Sequence, residues 1–397
     1  MTVIACKKRI KMRFILIMCT LVQTQMLPIF AFANDELPIA EPCDTIVCQL
    51  PKCRCSNLEI PGGLAARDTP QFVLLTFDDE VNDQNIVTYR SLLYNRVNKN
   101  NCPAGVTFFI NHEHTDYSLV NELYNEGFEV ALHSISHLSD LAYWRNASPE
   151  MLMREFGDQK TQMAHFANIP EDRINGIRCP FLHMAGNATF EMIATAGLRY
   201  DLSWPTTSFL DPGLWPYTLH YESIQDCFIH PCPTASIPGP WVIPMIAWTD
   251  LEGRSCPMAD TCVFNPEPDN EDGWFKFILE NFERHYLGNR APFGFYIHEL
   301  FLNTNPGLYR ALNRFLDMVN NLNDAFMVNA NDVIDWVQNP IPINEYLAQD
   351  CRISPATTCN ATSCGGISFE DTEGTYCMQV CSSCPRTYPW VGNPLGE

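Results

Sequence analysis

Short apolar runs alternate with helix-like segments through most of this chain of 397 residues. Repeated alternation of strand and helix favours a parallel sheet or barrel with its helices outside. The strand candidates are Val73–Phe77, Val106–Ile110, Phe128–Leu132, Ile174–Ile177, Leu198–Leu202, Trp241–Ile246 and Phe293–His298. The helix candidates are Asn85–Val97, Ser118–Asn125, a segment capped by Ser148 that runs to about Phe166, Asn187–Ala196, Trp274–Tyr286, Leu308–Val319 and Asn331–Val337. We therefore predict an α/β fold, a distorted (β/α) barrel, with disulfide-rich appendages at both ends.

Polar side chains follow the ends of these strands, which is where functional residues collect in a β/α barrel. Asp78 and Asp79 end the first strand, and His133 and His137 follow the third. Two histidines on one turn and a carboxylate suit a catalytic Zn²⁺ site with one position left open. A helix N-cap for the aspartates, and ordinary turn histidines, are the alternative interpretations.

Later strand ends offer further candidates. Arg178 follows the fourth strand, Asp201 and Trp204 close the fifth, and His298 ends the last. A carboxylate beside His298 would orient its imidazole and raise its basicity. A surface salt bridge for the arginine and a buried, satisfied histidine are the alternatives.

The blocks TFDD, HSISH, RCPF, DLSW and YIH, in this order, resemble the five motifs of the NodB-homology polysaccharide deacetylases, carbohydrate esterase family 4. The resemblance covers roughly residues 69–340, which we take as the catalytic domain. The wording of "NNCPAGVTFFIN" and "RHYLGNRAPFGFYIHE" is most similar to the animal chitin deacetylases of arthropod type.

The resemblance implies a role for each motif residue. Asp78 would be the general base, and Arg178 would contact it. His298 would be the general acid, tuned by Asp201. The metal ligands would be Asp79, His133 and His137, the backbone N–H of Phe181 would hold the oxyanion, and Trp204 would wall the acetyl pocket. Zn²⁺ is the expected ion, although such ligands also suit Co²⁺ or another divalent metal.

The N-terminus reads as a secretory signal over residues 1–33. A basic region precedes an apolar stretch that ends in the small-x-small pattern Ala31-Phe32-Ala33. The alternative interpretation of this segment is a retained membrane anchor, but Gln23, Gln25 and Pro28 interrupt the apolar run. We therefore expect a secreted, extracellular protein without stable membrane insertion after removal of the signal.

Composition supports that location. The chain has 18 cysteines, many of them clustered near its two ends, which suggests disulfides in a secreted chain. Sequons at Asn146, Asn187 and Asn360 predict glycosylation. The 46 Asp and Glu against 25 Lys and Arg make a nucleic-acid partner unfavourable, because phosphates would be repelled. The expected partner is instead chitin or N-acetylglucosamine oligomers, and the expected state is a monomer.

Both cysteine-rich ends are treated as appendages, residues 34–68 and 341–397. The tail resembles the small ShKT module, and this resemblance implies the pairs Cys351–Cys384, Cys359–Cys377 and Cys364–Cys381. An unrelated knotted tail is the alternative. Cys179 departs from the third motif of the deacetylases, and the even number of cysteines after the leader favours its being paired.

Three functions remain open at this level. The first is a secreted, metal-dependent chitin deacetylase, and the second is a catalytically weak chitin-binding or matrix protein on the same scaffold. The third is a deacetylase of another N-acetylated glycan. A phosphotransferase built on Asp78 and Asp79 would not explain HSISH or the arginine of RCPF.

Overall fold

A computed structural model describes residues 37–369 and 374–397, so the predicted leader lies outside the described residues. The strands are β1 Gln71–Asp78, β2 Thr107–Ile110, β3 Glu129–Leu132, β4 Gly176–Ile177, β5 Tyr200–Asp201, β6 Pro205–Thr206, β7 Tyr217–Thr218, β8 Trp241–Val242, β9 Met245–Ile246, β10 Trp248–Thr249, β11 Ser255–Cys256, β12 Phe293–His298, β13 Ala325–Met327, β14 Thr362–Ser368 and β15 Thr375–Val380. The α-helices are α1 Ile86–Leu93, α2 Tyr117–Asn125, α3 Leu141–Arg145, α4 Pro149–Leu152, α5 Asp158–Ala167, α6 Asn187–Thr195, α7 Glu271–Tyr286, α8 Glu299–Thr304, α9 Pro306–Asn321, α10 Ala330–Gln338 and α11 Ile343–Leu347.

Nine strands form the main sheet, in the order β12, β1, β2, β3, β4, β5, β8 and β7, with β13 also paired to β1. Every pairing in it is parallel except that of β7 with β8. The sheet curls into a half-barrel, which confirms the predicted α/β class. Since the strands are parallel, the carboxyl ends of β1, β3, β4, β5 and β12 lie along one edge of the sheet.

Side-chain alternation along β1 divides the core into two layers. All eight residues of this strand are buried, as in a parallel strand covered on both faces. Val73, Leu75 and Phe77 join the larger apolar cluster, whereas Phe72 and Leu74 join a second one. Such burial on both faces fixes the register of β1 and therefore the position of the carboxylates at its end.

Two predicted elements differ from the structure for local reasons. The strand predicted at Trp241–Ile246 is divided into β8 and β9 around Pro244, which has no N–H to donate. The helix predicted from Ser148 to about Phe166 contains a π-helical turn, Met153–Gly157, between α4 and α5. Such turns are rare and often occur at functional sites.

The N-terminal appendage contains two nested disulfides, Cys43–Cys55 and Cys48–Cys53. Arg54 attaches it to the segment around β7, because its Nη1 donates to the Pro216 carbonyl at 3.0 Å and its backbone N–H to the Thr218 hydroxyl at 3.1 Å. The segment is therefore packed against the sheet at β7.

The three predicted tail disulfides are wrong. Cys351 pairs with Cys102, which lies between α1 and β2, and the tail itself holds Cys359–Cys381 and Cys364–Cys384. The reason is the β14–β15 hairpin, whose strand β15 lies against α2 and which decides which cysteines approach each other. Sequence spacing does not encode that approach. The expectation that Cys179 is paired is also wrong, since it is a buried thiol outside any disulfide.

The three sequons differ in accessibility. Asn146 and Asn360 are exposed. The Asn187 side-chain oxygen instead accepts from the backbone N–H groups of Thr234 and Ala235, at 2.7 and 3.0 Å. Glycosylation stays a prediction at all three positions, and Asn187 is the least accessible. Across the described ranges, no helix has both the length and the apolar character that crossing a bilayer requires.

The Cys102–Cys351 disulfide closes a loop of 249 residues, whereas Cys227–Cys232 closes one of 5. The chain-entropy model makes the longer crosslink more stabilising by about 3 kcal/mol. We expect C102S/C351S to lower the free energy of unfolding by about that much more than C227S/C232S does. Denaturant unfolding without reductant measures both, and equal losses would contradict the expectation.

Candidate metal and catalytic site

Asp79, His133 and His137 come together where β1 and β3 end. Asp79 Oδ1 lies 3.9 Å from His133 Nε2 and 3.5 Å from His137 Nε2. One ligand atom from each residue falls within 4.8 Å of the others. The predicted trio therefore surrounds one point in space, as a shared cation requires.

The donor atoms themselves fit a divalent metal ion. Asp79 Oδ1 is buried and has no hydrogen-bond partner among the described residues, which is costly unless a cation or water satisfies it. His133 Nδ1 lies 2.7 Å from the Arg178 carbonyl, so Nδ1 carries the proton and Nε2 is left as the ligand atom. Burial lowers the pKa of His133 to about 3 and keeps its imidazole neutral.

The backbone conformation of the candidate ligands explains how the neighbouring carboxylates of Asp78 and Asp79 can both face the same site. Neighbouring side chains in a strand point to opposite faces, but Asp79 has a φ of 79° and breaks this alternation. Ser134 and His137 also have positive φ, at 74° and 42°. Left-handed backbone of this kind costs about 1–3 kcal/mol per residue and is concentrated at functional sites.

Glu155 and Gln159 hold the turn that carries the two histidines. Glu155 is fully buried in the π-helical turn, and it accepts from the Ser136 N–H at 2.9 Å and the Ser136 hydroxyl at 2.6 Å. Gln159 Nε2 donates to the carbonyls of Ile110 and Ser134, both at 2.8 Å. The residues between the histidines are thus fixed from α5 and the turn before it.

Arg178 and Asp78 form a buried ion pair beside the candidate metal ligands. Arg178 Nη1 donates to Asp78 Oδ1 at 2.5 Å, which is the contact that the resemblance implies. Burial alone would raise the pKa of Asp78, but the positive charge and hydrogen bond of Arg178, together with the nearby imidazoles of His133 and His298, outweigh it and the pKa is lowered. Asp78 is therefore held as a carboxylate.

His298 has a different carboxylate partner from the one predicted. Its Nδ1 lies 2.6 Å from Asp260 Oδ2, and its Nε2 lies 3.7 Å from Asp79 Oδ2. Burial acts to lower the pKa of His298, but the hydrogen bond to Asp260 and the nearby carboxylates outweigh burial and raise the pKa to about 9. The predicted pairing of His298 with Asp201 is wrong.

Asp201 instead stabilises the backbone of the third motif, RCPF, through Ser203. Its carboxylate accepts from the Ser203 hydroxyl at 2.5 Å and the Ser203 N–H at 3.0 Å. Ser203 Oγ in turn accepts from the Cys179 N–H at 2.7 Å. Burial raises the pKa of Asp201 to about 6. Asp201 is the last residue of β5. Its carboxylate is occupied by the N–H and hydroxyl of Ser203, two residues further along the chain.

Phe181 and Trp204 occupy different environments. Phe181 has left-handed backbone (φ 56°), is 43% exposed, and its ring lies 5.1 Å from that of His137. No described residue accepts from its backbone N–H. Trp204 is buried against Tyr217 and lines a cavity with Tyr221 and His230. The predicted oxyanion and acetyl-pocket roles of these two residues stay predictions.

Comparison with known proteins decides the family. The model of the family described as "Polysaccharide deacetylase" matches residues 65–200. Chitin deacetylase 8 of Bombyx mori is 59% identical over 372 residues, covering 94% of this chain and 98% of that protein. The chain belongs to the polysaccharide deacetylase family. It is an amidohydrolase of this family.

Two further relatives are more distant. Chitin deacetylase 1 of Bombyx mori is 34% identical over 377 residues, covering 90% of this chain and 69% of that protein. The solved chitin deacetylase of the fungal pathogen Colletotrichum lindemuthianum has a TM-score of 0.36 and 14% identity, covering 75% of this chain and 92% of that one.

Three supporting residues of this deacetylase were not found from the sequence. Asp260 lies in the segment CPMADTC, which follows no strand end of the main sheet, and Glu155 and Gln159 lie inside a predicted helix. A search restricted to strand ends passes over all three. The cysteines on both sides of Asp260 were the available signal, since a short disulfide loop indicates a fixed backbone.

Glu155→Gln should weaken divalent-metal binding by about 10- to 100-fold, because second-layer partners orient metal ligands. The amide keeps one acceptor, but it cannot accept from both donors of Ser136. Titration of metal-free protein with Zn²⁺ against a chelating dye measures the change. The control is Glu150→Gln, an exposed glutamate of α4, and equal affinities in both variants would contradict this role.

Proposed function

We propose that this deacetylase is a secreted, metal-dependent enzyme that hydrolyses the N-acetyl groups of chitin or N-acetylglucosamine oligomers to give acetate and free amine. The main support is the arrangement of Asp79, His133 and His137 around one point, next to an ionised Asp78 and a hydrogen-bonded His298. A chitin-binding protein without catalytic activity would not need these five side chains to lie together.

The residues fit a division between metal ligands and acid–base groups. Asp79, His133 and His137 would hold the ion, and Zn²⁺ is our first choice because two imidazoles and a carboxylate with an open position form a common catalytic zinc set. When bound, a divalent ion would polarise the acetamide carbonyl and activate water.

Proton transfer is assigned to two residues of this chain. The Asp78 carboxylate, kept ionised by Arg178, takes a proton from the attacking water. The new C–O bond forms at the acetamide carbon, and the unpartnered Phe181 N–H is available to the developing oxyanion. His298 carries a proton at Nε2 when it is an imidazolium, and it gives that proton to the nitrogen as the C–N bond breaks.

Substrate and location follow from separate observations. Two relatives are named chitin deacetylases, which supports chitin over another N-acetylated glycan. The disulfides of the described chain and the leader-like N-terminus support secretion. An acidic surface also suits a substrate that becomes cationic as its amines are freed.

Asp78→Asn should reduce acetate release from chitin oligomers by about 10²–10⁴-fold, because an amide cannot accept the proton of water. Metal content should stay the same, since Asp78 is not among the ligands. Acetate assays and elemental analysis of the purified variant test both statements. Asp83→Asn, at an exposed position after β1, is the matched control, and an active Asp78→Asn would remove Asp78 from the role of base.

Chelator treatment tests metal dependence, and a glycan panel tests the substrate. We expect a chelator to abolish acetate release and Zn²⁺ to restore it. Chitin oligomers should be deacetylated faster than other N-acetylated glycans. Faster release from another glycan would assign a different substrate, and binding of chitin without acetate release would favour the matrix-protein alternative.

A further inference from the structure

The partner of His298 lies in a loop that a disulfide closes. Cys256 and Cys262 are bonded to each other at a sequence separation of 6, and Asp260 stands between them on the short 3₁₀ turn Ala259–Thr261. Both cysteines and Ala259 are buried. The turn itself has few internal hydrogen bonds, chiefly those between Met258 and Thr261. The covalent bond therefore constrains the backbone at Asp260 together with these hydrogen bonds.

The same loop is fixed to the strand that carries His298. The hairpin β10–β11 leads into it, and Trp248 of β10 donates from Nε1 to the Gly294 carbonyl of β12 at 2.8 Å. The Trp248 ring also packs against Phe293 and Phe295, with centroid distances of 5.6 and 4.9 Å. The loop that contains Asp260 and the strand that ends at His298 are thus packed directly against each other through Trp248.

Asp260 makes two contacts to His298 through a single oxygen. Oδ2 accepts from the His298 backbone N–H at 2.8 Å and from Nδ1 at 2.6 Å. A carboxylate held at both points fixes the rotation of the imidazole and keeps a proton on Nδ1. Nε2 is then the nitrogen that faces the metal ligands, 3.7 Å from Asp79 Oδ2.

The other oxygen shows that this position is imposed on Asp260. Oδ1 is buried and has no hydrogen-bond partner among the described residues. An unpartnered buried oxygen is unfavourable, so a carboxylate on an unrestrained backbone would turn this oxygen towards solvent or another donor. The disulfide-closed backbone opposes that movement.

We propose that Asp260 is the positioning residue of His298 and that the Cys256–Cys262 disulfide holds it in place, so that turnover depends on this disulfide. The inference rests on the proposed deacetylase function. Loss of either element should leave substrate and metal bound but His298 wrongly oriented. The loss should therefore appear in kcat and not in KM or metal content.

The test compares Asp260→Asn and C256S/C262S with the wild type and with C48S/C53S. The control disulfide closes a loop of 5 residues in the N-terminal appendage. We expect both test variants to lose about 10- to 100-fold in kcat on chitin oligomers, with KM and zinc content unchanged. The control should keep wild-type kcat. Unchanged kcat in Asp260→Asn would overturn the proposal, and unchanged kcat in C256S/C262S would overturn the role of the disulfide.

A second comparison distinguishes loss of His298 positioning from a general loss of structure. In a His298→Ala background the same changes should have no further effect on the residual rate, because coupled groups are not additive. Full additivity would mean that Asp260 acts elsewhere. This comparison also keeps the test decisive if C256S/C262S folds poorly, since Asp260→Asn changes no crosslink.

A spectroscopic measurement does not depend on the substrate. In protein with ¹⁵N-labelled histidine, the Nδ1 proton of His298 should appear far downfield and exchange slowly, and it should vanish in His298→Ala. We expect Asp260→Asn and C256S/C262S to shift it upfield or broaden it beyond detection. An unchanged signal would refute the proposal. Absence of acetate release by the wild type on every glycan would refute the proposed function alone, leaving this signal to decide.

Discussion

The site depends on one buried cation. Arg178 is fully buried between the rings of Phe109 and Tyr296, 4.1 and 4.9 Å from their centroids. A buried charge is unfavourable unless it is paired and hydrogen-bonded. Its Nη1 donates to Asp78 and to the Thr76 hydroxyl, and its Nε donates to the Leu202 carbonyl, whereas Nη2 is buried without a hydrogen-bond partner among the described residues. Through these contacts one side chain ties together the ends of β1, β4 and β5.

The main chain of Arg178 extends the same network to the metal ligands. Its carbonyl accepts from His133 Nδ1, and its N–H donates to the Leu132 carbonyl at 3.0 Å. Asp78, the proposed general base, and His133, a proposed metal ligand, are therefore held by the same residue, the first through its side chain and the second through its carbonyl. A change at this position would disturb the charge of Asp78 and the orientation of His133 together, so the two functions of the site are mechanically coupled.

Residues at strand ends could be predicted from the sequence, because a parallel sheet brings its carboxyl ends to one edge. This principle placed Asp78, Asp79, His133, His137, Arg178 and His298 correctly beside one another. It failed for Asp260 and Glu155, which reach the site from a disulfide loop and a π-helical turn. The wrong pairing of His298 with Asp201 has the same origin, since both residues end strands but Asp201 is engaged by Ser203. Contacts that depend on loop conformation have no periodic pattern in the sequence.

The tail illustrates a related limit and has a practical consequence. Cysteine spacing suggested a separate knotted module, but Cys351 is bonded to Cys102 in the connection between α1 and β2. A peptidase that cuts an exposed loop anywhere between these two positions leaves both fragments covalently joined. If the enzyme is secreted, as proposed above, a nick in that stretch would not by itself release a piece of the barrel. The Cys102–Cys351 disulfide thus protects the protein against fragmentation by a single proteolytic cut between these two residues.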